Sequence, residues 1–134
     1  MIAVKAHVVI VRPSDGAMLL TGAAEFVRPP GGTVEFGELA VAAARREILE
    51  ELGCELAAVS LAGVLENRFV LNGVDGHEIV FVFRGALSDE LYSRESFEIL
   101  DVPGMRATWW TPALGGRLVP EGLSHLLAGP QSVW

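Results

Sequence analysis

The chain has 134 residues, of which 51% are hydrophobic and 20% charged, and its formal net charge is −7. This composition predicts one globular domain over residues 1–134 and opposes disorder. No apolar run approaches the roughly 20 residues that span a bilayer, and the negative charge opposes binding to a nucleic-acid polymer. We therefore expect neither a membrane span nor a polynucleotide partner, while a homodimer stays open.

Two features of the sequence bear on the compartment. The N-terminal segment MIAVKAHVVI has no tail of small residues, so it predicts a strand rather than a signal peptide. Cys54 is the only cysteine, so one chain can form neither a disulfide nor a thiolate metal cluster. Together these features favour a reducing cytoplasm.

The first third of the chain predicts two strands and a loop. Residues 3–11 are rich in valine and predict a strand, and Met18–Thr21 predicts its hairpin partner after a turn. The segment Pro29-Pro30-Gly31-Gly32 cannot continue a regular element, so we predict a shaped loop there.

The most distinct predicted element is a helix over Glu38–Leu52. This segment is rich in alanine, leucine and glutamate, lacks Gly and Pro, and precedes Gly53 at the C-cap position. Four apolar residues spaced by three and four predict the face toward the core: Val41, Ala44, Ile48 and Leu52.

The remainder of the chain predicts more strands and a short helix. Residues 55–70 and 77–87 predict a long hairpin around a turn at 72–76. An acidic excursion, 88–104, precedes a strand at 106–111.

A short helix over Glu121–Ala128, ended by Gly129-Pro130, completes the pattern. Hairpins mixed with helices favour an α+β or α/β sandwich.

Three carboxylates share one flank of the predicted helix. At about 100° per residue, Glu47, Glu50 and Glu51 fall within an arc of roughly 100°. Such neighbours repel one another, and a hard divalent cation such as Mg2+ would compensate the repulsion. An ordinary solvated acidic face explains a bare E-x-x-E-E motif better, so acidic character alone does not decide.

The complete spacing changes that balance. The segment from Gly32 to Cys54 matches the pattern G-x5-E-x7-R-E-U-x-E-E-x-G-U, in which U is a bulky aliphatic residue, except that Cys54 replaces the last aliphatic residue. The matching positions are Gly32, Glu38, Arg46, Glu47, Ile48, Glu50, Glu51 and Gly53. On this specific motif, the Nudix box, the chain resembles a Nudix hydrolase.

The resemblance implies an α/β/α sandwich around a mixed sheet, and a Mg2+-dependent reaction with Mn2+ as an alternative ion. The substrate would be a small molecule of nucleotide type, a nucleoside diphosphate linked to another group. Metal-activated water would attack one phosphorus of its diphosphate.

The resemblance also implies roles for the matched residues. Glu47 and Glu51 would be the principal metal ligands, Glu50 an additional one, and the Gly31 carbonyl would lie beside the same ion. Arg46 would orient Glu47, although an i,i+4 salt bridge to Glu50 explains it equally well. Glu38 would secure the loop or help activate water.

Family members often draw a further glutamate from beyond the box, and the acidic excursion offers Glu90, Glu95, Glu98 and Asp101. Among these we select Glu98 as a catalytic candidate. A solvated acidic loop is the alternative for each of them.

Four residues outside the box are candidates for substrate binding. Arg28 and Arg68 could each contact phosphate with bidentate geometry, or be surface charges. His77 is a candidate substrate contact, with a structural cap on the turn as the alternative. Trp110 is a candidate for an edge of the pocket.

The substrate stays open. ADP-ribose pyrophosphatases carry a proline after the box and diadenosine polyphosphate hydrolases a tyrosine, but residues 68–72 contain neither. The rival function is a Nudix-fold sensor or scaffold that binds a nucleotide without cleaving it, which degenerate glutamates would favour. The box glutamates here are intact.

Overall fold

The computed structural model describes residues 1–22 and 25–128 as an α+β fold with two β-sheets. The strands are β1 Ala3–Ile10, β2 Met18–Gly22, β3 Phe26–Arg28, β4 Gly31–Thr33, β5 Ala58–Leu71, β6 Val74–Ala86, β7 Ser96–Glu98, β8 Arg106–Trp110 and β9 Arg117–Leu118. The helices are α1 Ala40–Leu52 and α2 Leu123–Ala128. Short 3-10 helices cover Asp89–Ser93 and Pro112–Leu114.

Both sheets mix parallel and antiparallel pairs. The four-stranded sheet has the order β4-β1-β6-β5, and its central pair β1–β6 is parallel. The five-stranded sheet has the order β7-β8-β2-β3-β9, and there only β3–β9 is parallel among the described pairs. The predicted mixed sheet is thus confirmed.

The two helices cover opposite faces of the four-stranded sheet. Alternating side chains of β1 separate its faces: Ala6 and Val8 belong to a core cluster with Ile48 of α1. Val9 belongs to a second cluster with Leu123 of α2. This layering of helix, sheet and helix is the sandwich predicted from the resemblance.

The predicted hairpin of the first two strands is wrong. β1 and β2 lie in different sheets, and only an isolated bridge, Val11↔Met18, joins the ends of the two segments. β1 instead pairs with β4 and β6 on its two sides. Central strands of a mixed sheet bury more apolar surface than an isolated hairpin could, so tertiary pairing prevails over the local turn.

The predicted loop at residues 29–32 is partly wrong. Gly31 and Gly32 belong to β4, which runs antiparallel to β1. Pro30 lacks an N–H, but its carbonyl accepts a hydrogen bond from the Val8 N–H at 2.9 Å. The prolines therefore lead into an edge strand, a position that tolerates their missing donors.

The central helix is confirmed with a corrected start. It begins at Ala40 rather than Glu38, because the Glu38 carboxylate is engaged by Arg46 and by the Glu35 N–H in front of the helix. Gly53 ends it in the left-handed conformation, as predicted. Val41 was assigned to the buried face but is 38% exposed, and Ala43 is buried in its place.

The long hairpin is confirmed with a tighter turn. Asn72 and Gly73 alone connect β5 to β6, and both have positive φ angles, 52° and 78°, as a type I′ turn requires. β6 therefore begins at Val74, three residues before the predicted start. The excursion at 88–104 also contains β7 and a 3-10 helix.

The C-terminal helix is shorter than predicted and begins at Leu123. The predicted stop at Gly129-Pro130 lies outside the described residues. Within those residues, no helix has the length and apolarity to cross a membrane.

Candidate active site

Two glutamates of α1 converge on the two glycines of β4. Glu51 Oε1 accepts a hydrogen bond from the Gly31 N–H at 2.9 Å. The Glu47 carboxylate lies against Gly32, and a Cβ added there would stand 2.5 Å from the Glu47 Cδ. The absence of a side chain at Gly32 therefore makes room for a carboxylate.

The pairing of β4 with β1 explains why the Gly31 N–H is available. Val8 donates to Pro30 and Val34 donates to Val4, so alternate positions of the pair are hydrogen-bonded. Gly31 lies between these positions, where the backbone N–H and carbonyl point away from the partner strand. The N–H meets Glu51, and the strand presents the Gly31 carbonyl along the same free edge.

Arg46 ties the segment before the helix to the helix. Its Nε donates to Glu38 Oε2 at 2.8 Å and its Nη2 donates to Glu38 Oε1 at 3.0 Å, a bidentate pair. The same guanidinium donates to the Thr33 carbonyl and to Glu47 Oε1, both at 3.0 Å. Arg46 therefore holds the loop, Glu38 and one helix carboxylate together.

Glu50 is the most exposed of the three box carboxylates on α1. Its side chain is 51% exposed, and its oxygens are 3.3 and 3.4 Å from Arg46 Nη1. The i,i+4 ion pair considered from the sequence thus exists beside the contact of Arg46 with Glu47. Across residues 1–22 and 25–128, no three acidic, histidine or cysteine side chains are grouped as metal ligands.

Burial sets the protonation of the two converging glutamates. Desolvation raises the pKa of Glu51 to about 7, against the lowering effect of its hydrogen bond from Gly31. Desolvation also raises the pKa of Glu47, which Arg46 partly opposes. In contrast, the hydrogen bonds from Arg46 lower the pKa of Glu38 to about 2.

His7 is a residue at this site that the sequence analysis did not single out. It pairs with Gly31 across β1 and β4, is 8% exposed, and its Nδ1 lies 2.8 Å from the Pro29 carbonyl. Burial lowers the pKa of His7 to about 4, so the ring is neutral at pH 7. A histidine among the apolar residues of the valine-rich run was the available signal.

The candidates from the acidic excursion are separated by the structure. Glu98 is an exposed residue of β7, opposite Arg106 of β8, and its catalytic role stays a prediction. Asp101, unlike Glu98, lies near enough to the box for its charge to raise the pKa of both Glu47 and Glu51. The sequence analysis selected Glu98 rather than Asp101 because the sequence could not place this excursion relative to α1.

The four substrate-binding candidates lie in three places. The charge of Arg28 acts on Glu51, where it opposes the rise in pKa caused by burial. Arg68 and His77 line a cavity at the tip of the β5–β6 hairpin, where His77 Nε2 lies 2.8 Å from Glu66. Trp110 lines a separate cavity against α2 and donates to the Gly115 carbonyl. Their roles as substrate contacts stay predictions.

The chemistry of this donor set suits a hard divalent cation. Two partly buried carboxylates and a backbone carbonyl are oxygen donors, and Mg2+ commonly binds through one or two carboxylates together with water and substrate phosphates. The gap at Gly32 admits one of these carboxylates beside the strand. Burial raises the pKa of both carboxylates, and a bound cation would offset this cost of burying their charge.

The sequence is similar to a known protein family. A family model described as NUDIX domain matches residues 1–120. No curated protein matches the chain.

Similar solved structures cover nearly the whole chain. One is a MutT NUDIX hydrolase from Burkholderia pseudomallei, with a TM-score of 0.69 and 23% identity, covering 100% of this chain and 99% of the other. Another is the dihydroneopterin triphosphate pyrophosphohydrolase of E. coli, with a TM-score of 0.65 and 23% identity over 97% and 94% of the two chains. At these identities the structures show a shared fold.

Proposed function

Because the chain belongs to the Nudix domain family and is therefore a hydrolase, we propose that it cleaves the diphosphate linkage of a nucleoside diphosphate joined to another group. Members of this family generally use divalent cations and act on small molecules. We propose Mg2+ as the ion here, with Mn2+ as its substitute. The convergence of Glu47 and Glu51 on Gly32 and Gly31 is the observation that supports this proposal most directly.

In this proposal Glu47 and Glu51 hold the cation, with the Gly31 carbonyl beside them. A bound divalent cation would neutralise the diphosphate and lower the pKa of a water. Glu51 would release its proton on binding the cation, because burial raises its pKa to about 7. Glu50, which also contacts Arg46, would be a further ligand.

The remaining box residues position these ligands. Arg46 orients the Glu47 carboxylate through its Nη1, and Glu38 holds Arg46 in place through the bidentate pair. The lowered pKa of Glu38 suits this anchoring role better than proton transfer, since the carboxylate stays charged at neutral pH. Arg28 is the substrate-binding candidate whose charge reaches Glu51, and we propose that it contacts a phosphate.

The substrate class is tested by turnover of a panel of nucleoside di- and triphosphates, nucleotide sugars and other diphosphates with Mg2+ or Mn2+. We expect the wild type to hydrolyse at least one of them. Glu51→Gln should lower kcat on the order of a hundredfold or more. Glu55→Gln is the matched control, because Glu55 is exposed and lies just after the end of the helix that carries the box glutamates.

The rival proposal is a nucleotide sensor or scaffold. Folded wild-type protein that binds nucleotides but turns over none of the panel would favour it. Equal turnover by the wild type and Glu51→Gln would instead contradict the assignment of Glu51.

A further inference from the structure

The outer edge of β5 is a feature that the proposed function does not use. β5 is the terminal strand of the four-stranded sheet, and within the described residues no strand pairs with its other side. A strand of 14 residues with open backbone groups is a template for pairing with another chain. Two apolar side chains on this segment, Val64 and Val70, are 49% and 69% exposed.

The turn determines which β5 residues face outward. In a two-residue type I′ hairpin, the residues that flank the turn, Leu71 and Val74, form a hydrogen-bonded pair. Hydrogen-bonded and non-hydrogen-bonded pairs then alternate along the ladder. Asn67 opposite Glu78 is therefore bonded inward to β6, as are Leu65 and Phe69 opposite Val80 and Gly76. The backbone groups that point to the free edge belong to Val64, Glu66, Arg68 and Val70.

We propose that this edge pairs with the same edge of a second copy of the chain, antiparallel and centred on Asn67. In that register Glu66 faces Arg68 of the partner subunit, and Arg68 faces Glu66 of the partner subunit. At the two ends of this central segment, Val64 faces Val70 of the partner subunit and Val70 faces Val64 of the partner subunit. The two ion pairs and the two apolar pairs are generated by one two-fold axis, as an isologous interface requires.

Charge selects this register over its neighbours. A shift of the axis to Glu66 would place two glutamates opposite each other, and a shift to Arg68 would place two arginines opposite each other. Like charges directly opposite each other destabilise a strand pair, whereas opposite charges stabilise it. The neighbouring registers are therefore disfavoured, and the one centred on Asn67 matches opposite charges.

The candidate active site lies at the other side of the sheet. β4, which carries Gly31 and Gly32, is separated from β5 by β1 and β6. Pairing through β5 would leave both active sites at the outer edges of the joined eight-stranded sheet. The proposal therefore does not rest on the box residues, and it places Arg68 in an interface rather than in substrate binding.

The mass of the protein in solution tests the proposal, measured by sedimentation across a range of concentrations up to the high micromolar range. We expect the wild type to have twice the mass of the 14.3 kDa chain. Glu66→Arg and Arg68→Glu, each made singly, should weaken the dimer by about tenfold, because like charges then face each other. The double variant E66R/R68E should recover most of the wild-type affinity.

Two controls separate this interface from general charge effects. Arg117 and Glu121 form an exposed ion pair outside β5, with side chains 62% and 79% exposed, and R117E and E121R should leave the dimer unchanged. Circular dichroism establishes that each variant is folded. A wild type that stays monomeric or forms larger aggregates would overturn the proposal, as would single variants that dimerise normally or a double variant weaker than both.

Discussion

Glu51 accepts a hydrogen bond from the backbone N–H of Gly31 at 2.9 Å, across twenty residues of sequence. This contact joins the C-terminal half of α1 to an edge strand whose amide points away from β1. The residues of β4, β1 and α1 around this contact lead to four predictions.

Replacement of Gly31 by alanine should destabilise the fold. Gly31 has a φ of 156°, and an added Cβ would lie 2.1 Å from the Ala6 carbonyl oxygen, which is backbone and cannot move aside. We expect a loss of about 2 kcal/mol or more in the free energy of unfolding, measured with urea. Gly16→Ala is the control, because Gly16 also has a positive φ but no atom within 4 Å of its added Cβ. Equal losses in the two variants would show that backbone strain alone is responsible.

Replacement of the next residue, Gly32, should affect cation binding rather than folding. The added Cβ would meet the end of the flexible Glu47 side chain, so Glu47 can move away at little cost to the fold. We expect Mg2+ affinity to fall by roughly tenfold or more in calorimetric titration, in line with other changes that misorient a metal ligand. Gly63→Ala is matched, since its Cβ would meet the flexible side chain of Leu126 instead. An unchanged Mg2+ affinity in Gly32→Ala would contradict the proposal that Glu47 is a metal ligand.

Arg46→Lys should weaken the site although it keeps the charge. A lysine cannot reproduce the bidentate pair with Glu38 while also donating to the Thr33 carbonyl and Glu47. We expect a loss of about 1 kcal/mol in unfolding free energy and a lower Mg2+ affinity. Arg45→Lys serves for comparison, because Arg45 makes one hydrogen bond, to the Leu56 carbonyl. Indistinguishable effects of the two substitutions would mean that the fork geometry of Arg46 is unimportant.

His7 should make stability depend on pH. Its pKa is about 4 in the folded protein and 6.5 when unperturbed, so the unfolded chain binds a proton before the folded chain does. As the pH falls from 6.5 to 4, the wild type should lose up to about 3 kcal/mol relative to His7→Gln. Stability is retained above pH 6.5, where the ring is neutral in both states.

The difference between wild type and variant isolates His7. The pKa of Glu51 is raised, so Glu51 has the opposite effect: the stability of the protein falls as the pH rises from about 4.5 to about 7. Both proteins contain Glu51, so this effect cancels in the difference between them. The His125→Gln variant, at an exposed position of α2, is the control for the substitution of a histidine by glutamine. A flat difference for His7 across this range would contradict its burial as a neutral ring.

The sequence predicted those secondary-structure elements that are determined by neighbouring residues. The helix and its end at Gly53 follow from propensity and a left-handed cap, and the β5–β6 hairpin follows from Asn72-Gly73. The first hairpin was predicted wrongly for a related reason: a turn signal reports only on its own residues. Whether β1 pairs with β2 depended on competition from β4 and β6, which lie far along the chain.

The glutamate helix could be predicted from the local sequence, because the positions of carboxylates around a helix depend only on its regular geometry. The proposed metal site came from the resemblance to the Nudix box, since acidic character alone did not distinguish it from a solvated face. Tertiary structure decided which of the three carboxylates converge. Glu47 and Glu51 meet β4, while Glu50 turns to Arg46 and solvent. It also revealed His7 beneath Gly31 and the open edge of β5. Such relationships depend on strand register and sheet order, which are set by the packing of distant segments and leave no periodic trace in the local sequence.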